Sequence, residues 1–485
     1  MNRFEQRLEN FGAEKIFVAI FLFFGVITLF MRPPYQLMDE INHFPRAWQI
    51  SEGIFLSPTM TIREFKDRGD LQAKKIFCLD GAPADTSDDK IYIAEVPVSF
   101  LPDEFILDAN YRHYVHSFSI DYVGKFLSTP LNSGEREPIQ IPNTGVYPPP
   151  TYLPQALAAL LGRILNLNAG IIFYLMGLGG LIFVTACVWW SMKFLPEAKP
   201  LIFLLAMLPT FLVEAASTSA DAVTFGVCFV GTAWLLSLRN STEKFSRAEI
   251  FGLIILSVML ACAKSVYGTI LLLYFLIPRE RVGSTKKFFL LGAAILFLNL
   301  FVLAAWMKLT PDAALFTRHY IDLTETDAAA QKIFLAEHPT EFFAAMIKSL
   351  IEFPFPIWYW MGFVGSWGFL WNVTLPIIFY VLYSVAIIFF ALTNELRLKL
   401  GERGVLIFAS VVSTIAFFLF DYIIWSPVGA DYVEGVQGRY FIPIAPMIFF
   451  ALSILPPLRH KNFFATLAGV FSGAMILAAN FSAFY

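Results

Sequence analysis

Eleven runs of mostly apolar residues recur along this chain, and few folds can accommodate them. In a bilayer, about 17–25 such residues form one crossing helix. The runs are Ile16–Met31, Ala169–Trp190, Pro200–Glu214, Ala222–Leu238, Ile250–Cys262, Val266–Ile277, Phe288–Met307, Trp371–Thr393, Val405–Trp425, Phe441–Leu455 and Phe463–Phe484. Of 485 residues, 57% are hydrophobic and only 15% charged, where a soluble globular chain carries about 25% charged. That balance excludes a soluble enzyme, a disordered chain and a nucleic-acid binder. Fifty-two Phe, ten Trp and eighteen Tyr suit lipid and interface better than a water-facing surface. The expectation is an all-α polytopic membrane protein of about eleven helices, one membrane domain over residues 1–485.

Cation placement gives the sidedness. With the N-terminus cytoplasmic, the inner segments hold Arg3, Arg7 and Lys15; Lys193 and Lys199; Arg239, Lys244 and Arg247; Arg279, Arg281, Lys286 and Lys287; Arg397, Lys399 and Arg403; and Arg459 with Lys461. Each short inner loop then carries at least two cations, as the positive-inside rule requires. Treating Tyr152–Leu165 as a full span would reverse every later cluster, so it reads as a juxtamembrane or re-entrant helix on the outer face. The C-terminus also falls outside. The N-terminal stretch resembles a signal sequence in charge but lacks a small-residue cleavage site, and reads as an uncleaved first span. The setting expected is an inner (plasma) membrane.

Polar material collects on the outer side. Residues 32–168 form a first extracytoplasmic loop far longer than an ordinary connection. It mixes a polar run (DGAPADTSDDK), a strand-like alternation (IYIAEVPVSF) and the proline-rich VYPPPTYLPQAL. A second large outer loop covers 308–370. The four cysteines, Cys78, Cys187, Cys228 and Cys262, show neither metal-binding spacing nor a disulfide framework.

Five motifs could carry chemistry. In MDEINHFPRAW, Asp39, Glu40, His43 and Arg46 lie together just after the first span; a helix starting there brings Asp39 and His43 to one face. A carboxylate between cations and apolar walls can be tuned as a general base, while the ordinary reading of Asp39 is a helix N-cap. Asp221, in STSAD, is a boundary carboxylate that must face a cavity, a cation or water, unless it too is a cap; Glu214 one turn earlier could share the cavity. Lys264, in LACAKSVYG, either snorkels to headgroups or binds an anion. Arg439, in GVQGRYFIP, offers a planar fork for phosphate, or anchors its helix. Asp421 lies within an apolar run, with Arg439 as its candidate partner. The first four of these motifs fall on one side of the membrane, an arrangement suited to holding a lipid-linked phosphate and deprotonating an acceptor.

DEINHFPRAWQISEG, YPPPTYLPQALAALLGRIL, KPLIFLLAMLPTFLVEAASTSADAVT, CAKSVYG and QGRYFIPIAPMIFFAL together resemble a bacterial family of predicted membrane proteins known as domain of unknown function 2142. That family in turn resembles the GT-C superfamily of membrane glycosyltransferases, which implies a GT-C-like helical bundle. By that resemblance Asp39 or Glu40 is the acidic base of the first outer loop and Asp221 the second acidic position. Tyr147, with the prolines after it, lies at the juxtamembrane approach. Lys264 and Arg439 contact phosphate, and His43 and Arg46 join the substrate site. The implied reaction moves a sugar, with inversion, from a polyprenyl-phosphate donor to a glycan or lipid acceptor of the cell envelope. Some branches use a divalent metal (Mg or Mn), for which Asp39 and Asp221 would be ligands. A different class of function, a non-enzymatic transporter or flippase of lipid-linked glycans, would use the same charges as a route; an assembly partner for such glycans is a third. No nucleic acid is expected as a partner.

Overall fold

Runs of Leu, Ile, Phe and Ala without water-facing stripes become helices because a helix satisfies all its backbone groups internally. A computed structural model of the chain describes residues 12–68, 88, 90–101, 120–310, 326–368 and 373–485; Cys78 and most of the DGAPADTSDDK run lie outside them. The protein is mostly helical. Among the described residues, six helices are long and apolar enough to cross a membrane: Ala13–Met31, Ala169–Phe194, Asp221–Leu238, Thr285–Leu309, Leu400–Ile424 and Lys461–Phe484. A seventh is the pair Pro196–Ala206 and Pro209–Ala215, bent by 81°, if taken as one span. Phe297, Leu300 and Phe301 on one flank of Thr285–Leu309 are exposed, as side chains facing lipid would be.

Several apolar runs take forms other than one long helix. Pro200–Glu214 breaks because Leu208, preceding Pro209, is extended at φ −52° and ψ 129°, the conformation a following proline favours. The run after Lys264 is a 3₁₀ helix, Ser265–Leu276. At roughly 2.0 Å per residue against 1.5 Å for an α-helix, its twelve residues reach about 24 Å rather than about 18 Å. Phe441–Leu455 holds only the short helix Ala445–Phe450, in a stretch with prolines at 443 and 446.

Basic segments far apart in sequence meet at one end of the bundle. Glu14 pairs with Lys193 at 2.7 Å and Lys199 at 2.9 Å, Arg281 with Glu249 at 2.7 Å, and Lys461 with Glu395 at 2.5 Å. Arg239 donates to the carbonyl of Arg397, and Arg403 to that of Ala451.

The long segment between Ala13–Met31 and Ala169–Phe194 corrects the all-α expectation, because it contains a three-stranded antiparallel sheet. Strands β1 (Thr59–Thr61), β2 (Lys90–Pro97) and β3 (Arg136–Gln140) lie in the order β1-β2-β3, with Thr59 opposite Tyr92 and Ile93 opposite Gln140. The alternation in IYIAEVPVSF is β2. The sheet rests on helix Glu40–Ser51 through Gln49, whose side chain donates to the carbonyl of Ile93 at 3.1 Å. Helix Leu153–Ile164 is too short to cross a bilayer and packs against Ala169–Phe194.

Candidate functional site

At the end of the bundle opposite the basic segments, four ionisable side chains gather with Arg439. Its Nη1 lies 2.8 Å from Glu214 Oε1, its Nη2 2.7 Å from Asp39 Oδ2, and its Nε 3.4 Å from Asp221 Oδ2. Lys264 Nζ completes the group at 2.9 Å from Asp221 Oδ1 and sits 4.4 Å from the centroid of the Tyr440 ring, over its face. Two cations therefore serve three carboxylates. The structure thus brings Asp39, Asp221, Lys264 and Arg439 into direct contact, and adds Glu214.

Local backbone explains how each arrives. Asp39 precedes helix Glu40–Ser51 at the N-cap position, yet φ 60° and ψ 2° place it in the left-handed region and its carboxylate makes no cap bond. Asp is among the few side chains that tolerate this conformation. The carboxylate instead reaches Arg439 and accepts from Asn143 Nδ2 at 3.2 Å, while the Asp39 carbonyl takes the amides of Asn42 and His43. Asp221 is not a cap either: Ala220 holds that position. Between Glu214 and Asp221 the hydroxyls of the STS turn stand in for missing helix bonds. Ser217 Oγ donates to the Glu214 carbonyl at 2.6 Å and accepts from Ser219 N, and Ser219 Oγ accepts from Asp221 N at 3.1 Å. Gln155 pins the same turn by donating to the Ser219 carbonyl at 2.9 Å.

Arg439 depends on the glycine before it. A Cβ on Gly438 would run into the carbonyl oxygen of Tyr359 and the amide nitrogen of Phe363, so only glycine lets this loop lie against helix Phe355–Val364. Tyr267 holds the other side, its hydroxyl donating to the Tyr440 carbonyl at 2.9 Å.

Two of the candidates serve elsewhere. Glu40 is fully buried one layer behind, where Oε1 accepts from Arg32 at 3.2 Å and from the amide of Thr218; Arg32 also caps the carbonyls of Val213 and Ala216. Arg46 is a loop clamp. Its guanidinium donates to Gln49 and to the carbonyls of Ile54, Phe55 and Tyr147, which leaves it no free donor fork for a ligand. Asp421 is not joined to Arg439, whose three carboxylate partners are those above; Asp421 Oδ2 is buried without a hydrogen bond. His43 and Tyr147 lie beside the cluster, whose charges act on both. His43 Nδ1 lies 2.7 Å from the Tyr152 hydroxyl, and the ring is 5.9 Å from that of Tyr147. Burial lowers the His43 pKa to about 4; Asp39 and Asp221 oppose this, and Arg439 and Lys264 add to it. The field of the cluster thus reaches the imidazole.

The cluster has an apolar neighbour. A groove of about 350 Å³ runs between Leu153–Ile164 and the helices that carry Asp221 and lead to Lys264, lined by Leu153, Leu157, Ile182, Phe183, Val223 and Met259 among others. Leu153, Leu157 and Ile182 are exposed, so the groove opens on the flank of the bundle.

A model of predicted membrane proteins, DUF2142, matches residues 22–448. The chain belongs to that family. No curated protein and no solved structure matches it. The matched span of this DUF2142 protein includes every member of the charged cluster. Its residues do not fit a divalent metal: the Arg439 guanidinium occupies the space between the Asp39 and Asp221 carboxylates, and Lys264 takes the other Asp221 oxygen. Among the described residues no group of three or more His, Cys, Asp and Glu is placed to hold a metal ion.

Proposed function

We propose that this protein is an outer-face glycosyltransferase that moves a sugar from a polyprenyl-phosphate donor to a cell-envelope acceptor. The observation that carries the reading is the Asp39–Arg439–Asp221–Lys264 cluster beside an apolar groove. A lipid-linked phosphate has an anionic head and a hydrocarbon tail, and the two features offer a fork of donors and a lipid-facing slot. The resemblance to GT-C enzymes supplies the reaction class.

In this reading the resting cluster is a set of contacts that the donor exchanges. Its phosphate takes the Arg439 fork and the Lys264 ammonium, and Asp39 is released from Arg439. Asp39 is the carboxylate suited to the role of base, because its side chain is 18% exposed against 3% for Glu214 and Asp221. The acceptor oxygen then bonds to the anomeric carbon from the face opposite the phosphate, and the bond from that carbon to the phosphate oxygen breaks. The acceptor proton passes to Asp39, and the polyprenyl phosphate leaves with its charge held by Arg439 and Lys264. Asp221 positions Lys264, and no metal enters the step.

The chain is further proposed to cross a bacterial plasma membrane eleven times, with the charged cluster outside. The alternation of segment ends supports this, since the cation-rich loops meet at one end and the cluster lies at the other. The transporter reading draws on the bent pair ending near Glu214, because broken helices line many transport sites. Proteoliposomes loaded with a panel of radiolabelled polyprenyl-phosphate sugars and envelope acceptors separate the two. Label moving onto the acceptor supports the transferase, and donor crossing the bilayer unchanged supports the transporter.

A further inference from the structure

The imidazole of His43 lies beside the charged cluster with one nitrogen committed and one open. Tyr152 is fully buried, and the only hydrogen-bond partner of its hydroxyl among the described residues is His43 Nδ1, at 2.7 Å. A buried hydroxyl must place its hydrogen on an acceptor or lose the bond outright. The Tyr152 hydroxyl therefore donates, Nδ1 accepts, and a neutral ring must carry its proton on Nε2. Nε2 has no hydrogen-bond partner among the described residues, yet it is not among the buried orphaned atoms. His43 as a whole is only 4% exposed, so this nitrogen belongs to the small part of the ring that remains accessible beside the cluster.

We infer that His43 acts as a neutral Nε2–H hydrogen-bond donor to an oxygen of the bound substrate, its tautomer fixed by Tyr152 as a positioning residue. The alternative role for a pocket histidine, proton acceptor, needs a lone pair facing the ligand, and here that lone pair is spent on Tyr152. The groups facing the ring are Asp39, Asp221, Arg439, Lys264, Tyr147 and Tyr152. The two carboxylates are each engaged by a cation, so their pull on an imidazolium is largely cancelled; this agrees with the lowered His43 pKa. A neutral donor suits a sugar hydroxyl or a phosphate ester oxygen equally. The inference rests on the proposed function only for the nature of that ligand.

The test is ¹⁵N NMR of the full-length protein in lipid nanodiscs, with histidine labelled. The His43 signals are assigned by their loss in His43→Asn or by their displacement in Tyr152→Phe. The expected result is a protonated Nε2 and a bare Nδ1 that persist from pH 8 down to pH 5. Tyr152→Phe should mix the tautomers and move the titration upward. Adding a sugar-free polyprenyl phosphate should shift Nε2 in the wild type. Its affinity should fall about tenfold or more in His43→Asn, while His43→Gln, whose amide can reach toward the Nε2 position, should keep most of it. A protonated Nδ1, a titration near the ordinary histidine value, or equal affinity in the Asn and Gln variants overturns the inference. The NMR result does not depend on sugar transfer, so failure of the transferase reading would be seen separately, in the transfer assay.

Discussion

The adjacent pair Asp39 and Glu40 shows how far a single position decides a role. Both are acidic and both stand at the start of the same helix. One backbone turn into the left-handed region sends Asp39 to Arg439, while Glu40 goes down to Arg32. Asp39→Asn should cut transfer by about 10²–10⁴-fold and leave unfolding temperature within a few degrees, as read by transfer assay and thermal melts. Glu40→Gln should do the reverse. It breaks a buried ion pair at a cost of about 3–5 kcal/mol and lowers the melt, with activity per folded molecule retained. His43 has a pH signature of its own. Its pKa falls on folding from 6.5 to about 4, so stability from keeping it neutral is complete above pH 6.5. That part, about 3 kcal/mol, is lost as pH falls toward 4; denaturation against pH should show a flatter slope there in His43→Asn. Most cluster members were legible in the sequence because charges in or beside apolar runs must find partners. Which partners was not legible: Arg439 lies 400 positions from Asp39, and local spacing cannot distinguish a cap from a long-range pair.

At the scale of elements, the site is assembled from breaks in helices rather than from helices themselves. The Pro209 bend delivers Glu214, the STS turn delivers Asp221, the end of Arg247–Cys262 delivers Lys264, and the glycine-led turn Gly438–Phe441 delivers Arg439. Gly438→Ala forces that turn off helix Phe355–Val364. It should cost about 1–3 kcal/mol of stability and withdraw Arg439, so transfer should fall far more than the melt would explain; Gly401→Ala, where a Cβ meets open space, is the control. These breaks were not legible beforehand: Pro200–Glu214 reads as a single run by hydropathy, although Pro209 follows the bend in it. The strand β2 showed its alternation, whereas its partners are three and five residues long and carry no pattern of their own.

For the whole molecule, two opposite ends follow from where charge can be neutralised. Cations and acids of the short loops pair at one end, and the charged cluster, the sheet and helices Glu40–Ser51 and Leu153–Ile164 occupy the other. In a cysteine-free background, Ser133→Cys should label with an impermeant maleimide on intact cells, and Lys287→Cys only after permeabilisation; the opposite pattern would invert the protein. The most direct test of the central claim follows transfer of radiolabel from polyprenyl-phosphate sugars to envelope acceptors in proteoliposomes. The wild type, Asp39→Asn and Arg439→Lys are compared side by side. The account predicts labelled acceptor with the wild type and its loss in both variants while the protein stays folded. Transfer undiminished in Asp39→Asn, or donor crossing the bilayer with no acceptor labelled, would contradict it.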